Sequence, residues 1–245
     1  MAMGEGVTKF RRPRHQVVAR ILDCLDARVL TAAKCYFGGG TRIALELDEY
    51  RESEAIDFIC SDLAGYRILR AAIDHRSLGA LLPLPCPDLS LARDVRADQY
   101  GIRTIVAVGD EAVKFEIILE ARIKIAATKI KRISVPMLDR TSCFAEKWLA
   151  NADRWNDKAV LSRDAIDLAF MLSAWGPDEA LAGAKLAVDA YGNAIGRAAR
   201  GASAKLLEDT RYRRQCAQDL GITEMKRLMA GLRILAKVAN DLSES

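Results

Sequence analysis

Phe37-Gly38-Gly39-Gly40-Thr41, followed by Arg51-Glu52-Ser53-Glu54-Ala55-Ile56-Asp57-Phe58, decides how this chain is read. Glycines let the backbone approach an anion closely, and a helix that starts after them offers unpaired N–H groups and a favourable dipole. The second segment reads as a strand. Residues two apart on a strand share a face, so Ala55 and Asp57 point one way while Glu54 and Ile56 point the other. A phosphate-sized turn therefore precedes a strand that aims a carboxylate. Taken alone the glycine run also describes a plain tight turn, so its meaning depends on the rest of the chain.

The chain has 245 residues, of which 51% are hydrophobic, enough for one large or two modest domains with real cores. Lys and Arg total 37 against 33 Asp and Glu, a formal charge of +4, which permits a nucleic-acid partner without requiring one. The six cysteines show no C-x-x-C pair and the only histidines are His15 and His75. This spacing argues against a zinc site and against a disulfide framework, and predicts that most of these thiols are reduced and partly buried. The basic start of the chain is followed by no apolar stretch long enough for a signal peptide, and no segment approaches a membrane span. A cytoplasmic protein is expected.

Val17, Val18, Ile21, Leu22 and Leu25 recur at helical spacing and predict one helix ending near Ala32. Cys35-Tyr36-Phe37 reads as a buried strand, Thr41 to Leu47 as a helix, Ala55 to Cys60 as a strand, and Asp62 to Leu81 as a helix capped by Ser61 or Asp62. The run Leu82-Pro83-Leu84-Pro85-Cys86-Pro87 can only be a turn or rigid connector. Alternation from Leu89 to Ile125 predicts two or three strands with turns at Gly101 and Gly109-Asp110. From Pro136 the pattern is helical to the end, over Ser142 to Trp155, Arg163 to Trp175, Asp178 to Tyr191, and Ala204 onward. Strands early and helices late predict an α+β domain over residues 1–133 and a helical domain over 134–245, with the seam near Ile133 to Asp139.

Two further clusters carry charge. Glu116 shares a strand face with Lys114 and Ile118, where an inward acid requires a cation or a metal. Lys147, Asn151 and Arg154 fall at i, i+4 and i+7 of one helix, and Asp164 and Asp167 lie one turn apart on the next, within reach of Lys147 or Arg154 across the hairpin. The same patterns also describe a solvated strand face and a solvated helix stripe, whose surface ion pairs carry little weight.

The order Gly-Gly-Thr, Arg-x-Ser, Ile-Asp, Lys-x-Glu-Ile, Glu-Lys-x-x-Ala, Asp-Arg and Ser-Arg-Asp-x-x-Asp-Leu resembles the AbiEii/AbiGii abortive-infection toxin group of nucleotidyltransferase-like proteins, over roughly residues 36 to 172. The resemblance implies a polymerase-β-like nucleotidyltransferase core with a small mixed sheet and a helical C-terminal domain, with nucleoside triphosphate and Mg²⁺ in the cleft between them. It implies the toxin half of a type IV toxin–antitoxin pair, hence an antitoxin partner, and transfer of an NMP unit to an acceptor such as tRNA. By the same resemblance the phosphate loop falls on Gly39, Gly40 and Thr41, the strand carboxylates that hold metal on Asp57 and Glu116, the helical lysine on Lys147, and the Arg-Asp aspartate on Asp164. The departure is Ala55, where the group carries the first aspartate of an Asp-x-Asp pair; Glu54 beside it points away unless the strand begins late or bulges. With one carboxylate missing, either a slow or one-metal transferase or a nucleotide-binding or partner-binding protein without turnover is expected, and a purely structural module is the third reading. Lys124, Lys129, Lys131 and Arg132 are the candidates for guiding an RNA end.

Overall fold

The computed structural model describes residues 10–83, 86, 88–120 and 122–244. The basic tip at 1–9 and Leu84, Pro85 and Pro87 of the proline run lie outside the described residues. In chain order the elements are α1 (Pro13–Cys24), α2 (Ala27–Ala32), β1 (Cys35–Gly38), α3 (Gly39–Glu46), β2 (Ala55–Cys60), α4 (Leu63–Ala71), β3 (Leu89–Ala97), β4 (Gly101–Val108), β5 (Glu111–Leu119), β6 (Ala127–Thr128) and β7 (Met137–Leu138). Six helices follow: α5 (Arg140–Arg154), α6 (Arg163–Trp175), α7 (Pro177–Tyr191), α8 (Ala194–Glu208), α9 (Thr210–Asp219) and α10 (Met225–Glu244).

Two of the boundaries that differ from the sequence reading do so for local reasons. The first helix is two, because Asp26 leaves helical geometry and its carboxylate accepts from the N–H groups of Arg28 and Val29, capping α2. The helix capped by Asp62, which accepts from Gly65 N–H at 2.7 Å, stops at Ala71 and not at Leu81. After it come a bridge between Asp74 and Ser77 and a short 3₁₀ turn whose Gly79 has φ +53°. Cys24 and Cys86 form a disulfide across 62 residues, with Cα atoms 6.1 Å apart, so the expectation that no disulfide staples the chain is corrected for this pair. Nothing in their spacing announces this; the fold brings the end of α1 to the connector before β3. Cys35, Cys60, Cys143 and Cys216 are free and buried.

The strands form one mixed sheet in the order β3-β4-β5-β2-β1-β7-β6. The central pair β2 and β5 is parallel, β1 is antiparallel to β2, and β7 joins β1 in parallel, so the chain returns to the sheet at residues 137–138 before the helical region begins. Period-two alternation divides the core. Ile56, Phe58, Phe115 and Ile117 point to one face and pack with Val18, Ile21 and Leu22 of α1. Ile59 and Leu138 point to the other face and pack with Phe144 and Trp148 of α5 and Phe170 of α6. Asp57 and Glu116 alternate onto this second face, so the helical region closes over them.

Candidate active site

The parallel register of β2 and β5 builds the floor. It sets Ala55 beside Lys114, Asp57 beside Glu116 and Ile59 beside Ile118. Gly38 faces Asp57 from β1, and α3 starts at the next residue. Gly39 has φ +68°, and a Cβ there would lie 2.3 Å from Asp57 Oδ2. A Cβ on Gly40 would lie 2.1 Å from Arg51 Nη2. These glycines are needed to bring a helix N-terminus, with its unpaired N–H groups, against the carboxylate. Gly40→Ala is therefore expected to displace Arg51 and cost about 1–3 kcal/mol, read as a lowered midpoint in a urea titration.

Burial raises the pKa of the Asp57 carboxyl and the nearby Glu116 raises it further, against the opposing charges of Lys147, Lys114 and Arg163. Glu116 is itself held by Lys114 Nζ at 2.7 Å and Arg103 Nε at 3.3 Å.

The roof comes from α5 and α6. Lys147 Nζ lies 2.8 Å from Asp164 Oδ1 and 2.7 Å from Asp167 Oδ2, and Arg154 Nε donates to Asp164 Oδ2 at 2.7 Å. Arg51 forks onto Asp167 with Nε at 2.6 Å and Nη2 at 3.0 Å, and the Tyr50 hydroxyl donates to the same carboxylate. The stripe read as a possible solvated face is thus a buried network: the side chains of Lys147, Asp164 and Asp167 are 7%, 3% and 0% exposed. The pairing across the hairpin follows the predicted i, i+3 spacing of the two aspartates. Leu161 and Ser162 both adopt left-handed backbone, φ 56° and 50°, in the turn that delivers Asp164. Burial would raise the Asp167 carboxyl, but the charges of Arg51 and Lys147 outweigh it and its pKa is lowered. Burial would likewise lower the Lys147 ammonium, and Asp164 and Asp167 reverse that and raise it.

Between floor and roof lies a cleft of about 760 Å³, within the usual range for small-molecule sites. Gly39, Gly40, Asp57, Glu116 and Lys147 all line it, so five of the seven residues singled out in the sequence converge there. Thr41 does not. It is buried, and its hydroxyl bonds to Ser53 Oγ and donates to the Ala55 carbonyl, which leaves only its backbone N–H for a ligand. Asp164 lies behind Lys147, its carboxylate taken up by Lys147 and Arg154; it is a positioning residue. Ala55 lines the cleft, and β2 begins at that residue without a bulge. Glu54, just ahead of it, is exposed on the rim and 3.7 Å from Arg14.

Arg51, Glu146, Arg154 and Arg163 also line the cleft, and none was singled out as a site residue. All four stand in the motifs quoted above, and that was the available signal. Among the described residues there is no cluster of three or more His, Cys, Asp or Glu suited to a metal ion. The two-carboxylate set of Asp57 and Glu116 does fit a divalent cation completed by phosphate oxygens and water. The raised Asp57 carboxyl beside Glu116 is the electrostatic condition that such a cation relieves.

The overall fold is shared with solved structures that align over nearly the whole chain, and the class of fold is that of a nucleotidyltransferase. JHP933 from Helicobacter pylori superposes with a TM-score of 0.52 at 13% identity, over 96% of this chain and 95% of that one. A second H. pylori structure, described as that of a putative nucleotidyltransferase, gives 0.52 at 15% identity over 94% and 95%. The nucleotidyltransferase toxin MenT4 of Mycobacterium tuberculosis gives 0.48 at 16% identity over 94% and 86%. The family model described as nucleotidyl transferase AbiEii toxin, type IV TA system, matches residues 20–232, and the chain belongs to that family. No curated protein sequence matches it. Among the described residues no helix is long and apolar enough to cross a membrane.

Proposed function

We propose that the protein binds a nucleoside triphosphate with Mg²⁺ in this cleft and transfers an NMP unit to an acceptor such as tRNA, as the toxin of a toxin–antitoxin pair. The observation that carries this reading is the in-register Asp57–Glu116 pair lying directly beneath the N-terminal turn of α3. Asp57 and Glu116 would hold Mg²⁺, which when bound supplies charge neutralisation on the phosphates. The backbone N–H groups of Gly39, Gly40 and Thr41 donate to phosphate oxygens. Lys147 uses two of its three ammonium protons on Asp164 and Asp167, which leaves one for the triphosphate. Arg154 and Arg163 line the same cleft and offset the charge that develops as pyrophosphate leaves. Lys124, Lys129, Lys131 and Arg132 are exposed and would meet RNA phosphates, a contact whose affinity falls steeply with salt.

A specific observation favours a second reading, nucleotide binding with little or no turnover. Ala55 supplies no carboxylate, and Glu116 is already ion-paired to Lys114 and Arg103. Incubating the protein with each labelled triphosphate, Mg²⁺ and total tRNA separates the two: label on RNA supports transfer, and saturable binding without it supports the second reading. Ala55→Asp adds a carboxylate on the Asp57 face, beside Lys114, at a cleft-lining position. It is expected to tighten Mg²⁺-dependent triphosphate binding by about tenfold and to raise or create transfer, with little change in melting temperature. Destabilisation with unchanged metal dependence would remove Ala55 from the site.

A further inference from the structure

One carboxyl of the cleft has a buried oxygen with no hydrogen-bond partner among the described residues. It is Glu146, and the oxygen is its Oε1. The neighbouring charges are already committed. Arg122 Nε donates to Glu120 at 2.9 Å, and Lys147 is held by Asp164 and Asp167. Burial raises the Glu146 carboxyl first, and Glu120 raises it again, against Arg122 and Lys147, to about 8. At neutral pH it is therefore an acid that both donates and accepts.

Its position matters as much as its state. One residue pair beyond Asp57 and Glu116 on the same sheet face come Ile59 and Ile118, and both line the cleft with Ala150 of α5. Glu146 lies one turn before Ala150 on that helix, and its charged neighbours Glu120 and Arg122 follow directly on the end of β5. The cleft thus runs from a polar end at the glycines and carboxylates to an apolar wall edged by an unpaired carboxyl. A flat heteroaromatic ring fits such a wall, with its hydrogen-bonding edge on the carboxyl.

We propose that Glu146 reads the edge of the bound nucleobase, donating to an unprotonated ring nitrogen and accepting from the amino group beside it, and so selects cytosine or adenine over uracil and guanine. This rests on the nucleotide reading of the cleft given above. Uracil and guanine present a ring N–H at that edge, which leaves the Glu146 proton facing another donor, and a site built around such a bond rejects bases that cannot make it.

The test is equilibrium binding of ATP, CTP, GTP and UTP with Mg²⁺ at pH 6.5 and pH 9, with inorganic tripolyphosphate as the base-free control. Titration of the phosphates is common to all four, so ratios of affinities report the base. In the unmodified protein the better of ATP and CTP should bind at least about tenfold more tightly than GTP and UTP at pH 6.5. That advantage should shrink as pH rises through about 8 and the carboxyl loses its proton. Glu146→Gln, whose amide both donates and accepts, should keep the preference at both pH values. Glu146→Leu should lose it while tripolyphosphate affinity stays unchanged. Four triphosphates of equal affinity at pH 6.5, a preference that ignores pH, or one that survives in a folded Glu146→Leu would each overturn the inference alone. Failure of tripolyphosphate and all four nucleotides to bind would overturn the nucleotide reading with it. Should Glu146→Leu not fold, the pH profile and Glu146→Gln still decide.

Discussion

Asp167→Ala is expected to be the most destabilising single substitution in the cleft network, costing about 3–5 kcal/mol. The Asp167 carboxylate is fully buried and is the shared partner of Arg51, Lys147 and Tyr50. Removing it leaves the buried Arg51 guanidinium without its counter-charge and Lys147 with only Asp164. Against a typical total stability of about 5–15 kcal/mol, the loss should lower the melting temperature by roughly 10 °C or more. Arg51→Met combined with Asp167→Leu removes both charges together and should recover much of the loss. Circular dichroism melts of the two variants check this. Acid acts on the same contact. Because the folded-state pKa values of Asp164 and Asp167 are lowered, their stabilisation is present above the unfolded carboxylate value of about 4 and is lost as pH falls below it. Acid unfolding should therefore be shallower in the double variant.

That network also marks where sequence reading succeeds and where it stops. The limits of β2 at Ala55 and Cys60 and of α6 at Arg163 and Trp175 follow directly from period-two and helical patterns. The aspartates of α6 could be assigned to Lys147 and Arg154 from spacing alone, since i, i+3 residues share a helix face. Their burial could not. A Lys-Asn-Arg stripe reads as solvated because charged residues are seldom buried unless paired, and Asp167, the carboxylate that Lys147 shares, is also held by Arg51 from a segment more than a hundred residues earlier than Asp167. Strands of two residues, such as β6 and β7, carry no periodicity, so the return of the chain to the sheet at 137–138 was invisible. Thr41 was assigned to phosphate by its place in a motif, but only coordinates reveal that Ser53 and the Ala55 carbonyl occupy its hydroxyl. Glu146 stands in the quoted Glu-Lys-x-x-Ala motif but carried no role there, because what distinguishes it is a buried oxygen without a hydrogen bond, which only coordinates reveal.

The second large effect concerns chemistry, with stability little changed. Asp57 is paired with Glu116 in register and is touched by the glycine turn, so Asp57→Asn keeps its shape and removes its charge. Loss of that charge should weaken Mg²⁺-dependent triphosphate binding and reduce transfer by at least ~10²-fold, or about 2.7 kcal/mol of transition-state stabilisation. Because Asp57 is destabilised as an anion by burial and by Glu116, the neutral amide should fold as well as or better than the unmodified protein above neutral pH. Loss of activity can then be separated from loss of structure.

The most direct measurement is incorporation of α-labelled nucleoside triphosphate into total tRNA, with and without Mg²⁺, by the unmodified protein and by Asp57→Asn. Metal-dependent labelling that disappears in a folded Asp57→Asn is the expected result. Labelling that persists undiminished in that variant would contradict the assignment of the chemistry to the cleft between β2, β5 and α5.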